Sequence, residues 1–162
     1  MKLLFLDIGG VLKKGYQDVY TFDDELINNL NILLDRVEDA YIVITDPIRI
    51  NNNLSHLNNL FKGNNINRAI IGKTPYIGSY KDKKGQEILT YLINNFPACD
   101  SICIIDDIAD QIENLFPTWL VKVNTKFGFT EDKILECLEC FKKPLQSYNI
   151  WRINYHHDYD EY

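Results

Sequence analysis

Long apolar runs are missing from this chain of 162 residues. None approaches the roughly 20 consecutive residues that a helix needs to span a bilayer. Basic charge is scarce too. Seventeen Lys and Arg stand against 23 Asp and Glu, a formal net charge of −6. That balance disfavours non-specific binding to nucleic acid, whose phosphates want a basic surface, and it suits a site for a divalent cation. There are only three His and four Cys. Cys137 and Cys140 have a CxxC spacing, but within ILECLECF they fall on a helical pattern with no further ligands at zinc-site spacing. They read as thiols of a reducing compartment, and the chain is expected to be cytoplasmic. The opening MKLLFLDIGGVL lacks the layout of a signal peptide: its apolar run is short and leads into an acidic residue, so it reads as a core strand.

Short runs rich in Ile, Leu and Val are present and recur. KLLFL (2–6), YIVIT (41–45), RAIIG (68–72), SICIID (101–106) and WLVKV (119–123) are nearly continuous rather than alternating, which suits strands buried on both faces of a parallel sheet. Helical periodicity lies between them. DDELINNLNILLDRV (23–37) puts Leu26, Leu30, Leu33, Leu34 and Val37 on one face, with Thr21 or Asp23 as cap. KKGQEILTYLINNF (83–96) and TEDKILECLECF (130–141) follow the same rule, and NNNLSHLNNLF is a polar helical segment bearing an exposed His56. Alternation of strand and helix predicts an α/β fold of three layers, Rossmann-like, with a central parallel sheet. Residues 1–142 would form the core domain. Residues 143–162 would be an extension, either mobile or docked through Trp151 and Tyr155, with His156, His157, Asp158 and Asp160 near its end. Repeated Asn pairs read as compositional bias on solvated faces.

Ligands of such sheets bind beyond the carboxyl ends of the strands. There the sequence places Asp7, then Thr45 and Asp46, then Asp106 and Asp107 with Asp110 beyond, and Lys83 and Lys84 open the helix before the fourth strand. A carboxylate can attack phosphorus and form an aspartyl-phosphate, provided that repulsion from the anionic substrate is cancelled. Mg²⁺ on oxygen ligands does this, with Asp7 and Asp106 as direct ligands and Asp107 through water, while a Lys and the Thr45 hydroxyl hold the phosphoryl group. GKT at 72–74 invites a phosphate-loop reading, but Asn67 stands where that motif needs Gly, and the reading is set aside.

In order and spacing, LDIGGVL, a hydroxyl residue after IVI, a Lys before the fourth strand and IIDDIAD resemble the four motifs of the haloacid-dehalogenase-like (HAD) superfamily. IGKTPYIGSYKDKKGQEILTYL, then ICIIDD and VNTKFGFT, are most similar to the HAD domains associated with Swiss Army Knife RNA-repair proteins. That likeness covers about residues 2–141. It implies a HAD-like phosphohydrolase in which Asp7 is nucleophile and metal ligand, Thr45 and Lys84 (or Lys83) hold the phosphoryl group, and Gly9 offers its carbonyl to Mg²⁺. Gly10, Asp46 and Arg49 would contact substrate, Arg49 standing in TDPIRIN where those domains carry a Trp-Arg pair.

The likeness also implies a loss. The residue two after the nucleophile is usually an Asp that protonates the leaving group and activates water, and here it is Gly9. General acid–base catalysis is worth about 10²–10⁴-fold. Three outcomes follow: a weak phosphatase, a pseudoenzyme binding a phosphorylated ligand or protein, or carbon–halogen or carbon–phosphorus cleavage. No cap domain fits between Asp7 and Thr45 or between Thr45 and Lys84, since ordinary elements fill both stretches. An open site of this kind suits a large phosphorylated substrate, a protein or a nucleic-acid end, with Lys13, Lys14 and Tyr16 at its entrance.

Overall fold

The structure is a computed structural model that describes residues 1–18, 20–78, 83–96, 98–110 and 112–146. Five strands, β1 (Lys2–Leu6), β2 (Ala40–Ile44), β3 (Ile70–Lys73), β4 (Ser101–Asp106) and β5 (Leu120–Lys122), pair in parallel throughout, in the order β3-β2-β1-β4-β5. The four helices among the described residues are α1 (Asp24–Arg36), α2 (Leu54–Gly63), α3 (Lys84–Asn95) and α4 (Asp132–Lys142). The expected Rossmann-like α/β architecture is the one found, and no cap domain interrupts it among the described residues. None of the helices there is long and apolar enough to cross a membrane.

Strand alternation divides the core in two. Leu4, Leu6, Ile42, Ile44, Cys103 and Ile105 face the side covered by α1, α2 and α4. Leu3, Phe5, Val43, Ile102 and Ile104 face the side covered by α3 and the 112–119 segment. The residues expected on the buried face of α1, from Leu26 to Val37, are all buried. Cys137 and Cys140 lie in the first of these cores, and all four cysteines are buried free thiols. In the strand that carries GKT, the would-be Cβ of Gly72 lies 1.9 Å from the Tyr91 hydroxyl, so glycine there admits a packing ring. Lys73 donates to the carbonyls of Arg49 and Asn52.

After α4 the chain crosses back. The Leu145 amide donates to the Asp100 carbonyl (2.8 Å), and Leu145 is buried against the α3 side. The rest of the C-terminal extension, residues 147–162, lies outside the described residues, together with the expectations placed on Trp151, Tyr155, His156, His157, Asp158 and Asp160.

The strand order changes direction between β1 and β4. Chain connections leave these two neighbours toward opposite edges, opening a crevice at their carboxyl ends. Leu6 is in register with both Ile44 and Ile105, so Asp7, Thr45 and Asp106 leave the sheet at one level.

Candidate active site

Asp7, Asp106 and Asp107 converge at that crevice. Each offers one carboxylate oxygen, and these oxygens lie within 4.8 Å of one another. All three residues are buried. Lys84, at the start of α3, inserts its ammonium between two of them, 3.0 Å from Asp7 Oδ1 and 2.7 Å from Asp106 Oδ2. Lys83 occupies the N-cap of α3, and its Nζ comes within 3.9 Å of the would-be Cβ of Gly78, so of the two candidates it is Lys84 that enters the site.

Burial, followed by the charge of Asp106, pushes the Asp7 carboxyl well above the usual carboxylate range, against the pull of Lys84. Burial likewise raises Asp106, and Lys84 opposes it. For Lys84 burial works against the ammonium, but Asp7 and Asp106 outweigh it and hold its pKa above the ordinary lysine range. The imbalance is informative: three carboxyl groups share one ammonium in a dry place, more acid than that one cation can neutralise.

Among the described residues, three buried side-chain atoms have no hydrogen-bond partner: Thr45 Oγ1, Asp107 Oδ1 and Asp7 Oδ1, the last faced only by the Lys84 ammonium of the ion pair. Lys84 balances the charge at Asp7 Oδ1. Buried polar atoms are nearly always paired, so unsatisfied oxygens on residues that follow β1, β2 and β4 mark where a ligand belongs. Hard oxygen donors in this grouping fit Mg²⁺, with Asp7, Asp106 and Asp107 to hold it.

The loops around the trio are tightly specified. Asp107 Oδ2 accepts from the Tyr16 hydroxyl (2.5 Å) and from Thr125 Oγ1 (2.8 Å). Gly10 has φ +75°, and a Cβ there would lie 2.2 Å from Asp107 Oδ2, so only glycine fits beside that carboxylate. Gly10 therefore meets Asp107 directly. The Tyr16 ring stands 3.2 Å from the would-be Cβ of Gly9, covering the space that a side chain at that position would fill. Lys13 and Lys14, expected at the entrance, lie 3.7 Å from Asp23 and 3.8 Å from Glu25 respectively. Asp110 is exposed in the turn after β4.

Asp46 and Arg49 are both buried beneath this rim. Asp46 Oδ2 accepts from the amides of Ile8 (3.1 Å) and Gly9 (2.9 Å), and its Oδ1 caps the short 3-10 helix Pro47–Ile50 through the Ile48 amide (2.8 Å). Arg49, expected at the substrate, points inward instead. Its Nε donates to the Thr74 carbonyl, one terminal nitrogen to the carbonyls of Thr45 and Asp46, and the other to Pro75 and to Glu87 Oε2 at 2.6 Å. The guanidinium fork is filled by the chain's own acceptors and holds the ends of β2 and β3 against α3.

The sequence reading did not single out Glu87, Thr125 or the Tyr16–Asp107 contact. Glu87 sits in an ordinary helical pattern. Thr125 had one signal, its place in the VNTKFGFT turn after the last strand.

A parallel α/β sheet with an acidic crevice at its switch point defines a domain class that binds ligands at the strand ends. The particular family follows from its profile: this chain belongs to the HAD domains described as "HAD domain in Swiss Army Knife RNA repair proteins", with residues 3–134 matched. Neither the curated proteins nor the solved structures gave a match to the chain.

Proposed function

We propose that the chain is a Mg²⁺-dependent phosphohydrolase that works through an aspartyl-phosphate on Asp7. The observation that carries this reading is the set of unpartnered buried oxygens on Asp7, Thr45 and Asp107 beside the Lys84 ammonium. When bound by Asp7, Asp106 and Asp107, with the Gly9 carbonyl beside them, Mg²⁺ supplies the charge that lets an anionic phosphoryl group approach a carboxylate. An oxygen of Asp7 attacks phosphorus, the bond to the leaving oxygen breaks, and the phosphoryl group rests on Asp7. The Thr45 hydroxyl and Lys84 hold its oxygens. Water then attacks the same phosphorus, releasing inorganic phosphate and restoring the carboxylate. The work is mostly positioning and charge stabilisation.

Gly9 has no proton to give the leaving oxygen, so leaving groups that depart as stable anions react best and turnover is slow. The capless edge suits a large phosphorylated substrate, a phosphoprotein or a phosphorylated nucleic-acid end, the latter in keeping with the RNA-repair proteins of the family's description. Four free thiols fit a cytoplasmic location. Arg49 is assigned a positioning part, since every donor nitrogen it has is already used.

Assay of an aryl phosphate with and without Mg²⁺, in the wild type and Asp7→Asn, tests the proposal. Mg²⁺-dependent turnover lost in the variant supports it. A second reading, a module that binds a phosphorylated ligand without turning it over, is favoured by Gly9 and by the Tyr16 ring lying close against its side-chain position. Equal background in both proteins, with phosphate still bound, would select that reading.

A further inference from the structure

Asp46, expected at the substrate, carries a buried carboxylate that the proposed chemistry leaves unused. One of its carboxylate oxygens sits on two consecutive amides, those of Ile8 and Gly9, which directly follow Asp7. Two N–H groups converging on one anionic oxygen make an oxyanion site, and the chain itself shows that they bind an anion. Thr45 Oγ1, from the residue adjoining Asp46, is buried and unpartnered, and the charge of Asp46 is felt at Asp7. The same carboxylate oxygen lies 3.8 Å from the would-be Cβ of Gly9. Three backbone amides donate to this one carboxylate, so the amide pair after Asp7 is already taken by an acceptor from within the chain.

We propose that the Asp46 carboxylate is an internal competitor for the phosphoryl group, occupying on the Ile8 and Gly9 amides the place a phosphoryl oxygen held near Asp7, Thr45 and Lys84 would take. This rests on the phosphoryl-binding reading of the site. To bind, a phosphoryl oxygen must displace Asp46 from the amide pair and also face its charge. Small phosphate ligands have nothing beyond the phosphate with which to offset that cost. A large substrate has further contacts along the open rim, and binding energy from remote parts can be used at the reacting centre. Asp46 thereby sets specificity: it disfavours free phosphate and small esters relative to large phosphorylated substrates.

The test is an NMR titration of the ¹⁵N-labelled full chain with inorganic phosphate in the presence of Mg²⁺. Wild type is compared with Asp46→Ser, whose hydroxyl still caps the Ile48 amide but is too short to reach Ile8 and Gly9. The Ser variant is expected to bind phosphate at least about tenfold more tightly, with the Ile8 and Gly9 amide protons shifting downfield as it saturates. Affinity equal to or below that of the wild type overturns the inference. So does tighter binding with those two amides unmoved, because relief of charge alone would then explain it. Should Asp46→Ser not fold, Asp46→Asn, which keeps the cap and removes the charge, carries the same expectations at smaller size. Wild-type phosphate binding that weakens in Lys84→Ala keeps the phosphoryl reading standing even if Asp46 proves irrelevant. No saturable binding in any of these proteins removes both.

Discussion

Two clusters of buried charge lie side by side at the carboxyl edge of the sheet. Around Arg49 and Glu87 every charged group is met: the guanidinium has five acceptors, and Glu87 also takes the Ile77 amide. Around Asp7, Asp106 and Asp107 the carboxylates outnumber the single ammonium and leave oxygens without partners. The first cluster is complete as folded, so its free energy goes into holding β2, β3 and α3 together. The second is incomplete, and a fold keeps such a cluster only where something else completes it. Buried charge alone does not distinguish structure from function, but satisfied against unsatisfied buried charge does.

That contrast can be broken in several ways. The largest effect is expected from Asp7→Asn, which removes the proposed attacking oxygen while leaving the fold. Aryl phosphate turnover should fall at least about a thousandfold, with a far-ultraviolet spectrum and melting temperature no worse than wild type, because burial and the Asp106 charge both disfavour the Asp7 carboxylate and Lys84 keeps Asp106 as a partner. Glu87→Ala should do the reverse. It orphans a buried guanidinium and should cost about 3–5 kcal/mol in denaturant unfolding, while the folded fraction still binds Mg²⁺ with unchanged affinity. If Glu87→Ala abolished Mg²⁺ binding at full stability, the division between the clusters would be wrong.

Gly10→Ala tests how tightly the second cluster is held. The left-handed backbone costs about 1–2 kcal/mol, and the new Cβ must displace Asp107. Calorimetric Mg²⁺ affinity should weaken by about tenfold.

The pH dependence of the Mg²⁺ effect comes next. Asp7 and Asp106 have pKa values raised in the folded chain. Below their unfolded pKa, about 4, both states hold the protons and neither residue affects stability. As pH rises beyond it, the unfolded chain releases those protons first, so metal-free stability falls until the raised folded pKa is passed. Mg²⁺ competes with the same protons. Its stabilisation, about 2–3 kcal/mol at a hundredfold excess over Kd, should therefore be larger at pH 8 than at pH 5.5 in thermal melts. An equal shift at both would remove the carboxylates as the ligands.

The smallest effect is expected from Gly9→Asp. Tyr16 Cδ1 at 3.2 Å and Asp46 Oδ2 at 3.8 Å crowd and repel a carboxylate there. The rate should change by less than about tenfold, short of the full contribution of an acid–base group. Full recovery would show that the crevice had kept room for the missing residue.

Much of this arrangement was legible in the sequence, for physical reasons. Strands buried on both faces need near-continuous apolar runs, so the β1, β2 and β4 segments stand out, and a carboxylate directly after such a run has few places to go. Asp7, Asp106 and Asp107 follow from that. The choice between Lys83 and Lys84 did not, because it depends on where the first turn of α3 begins. Nor did the orientation of Arg49. Its residue type suits phosphate and carbonyl acceptors alike, and its partners Thr74, Pro75 and Glu87 lie 25 to 38 residues away. The reach of Asp46 to Ile8 and Gly9 is equally long-range.

The most direct measurement is an acid-quenched reaction of the chain with an aryl phosphate and Mg²⁺, followed by mass spectrometry of its peptides. The account predicts one phosphoryl group on the peptide that contains Asp7, absent without Mg²⁺ and absent in Asp7→Asn. A phosphoryl group on any other residue, or multiple turnovers by the Asp7→Asn protein, would contradict it.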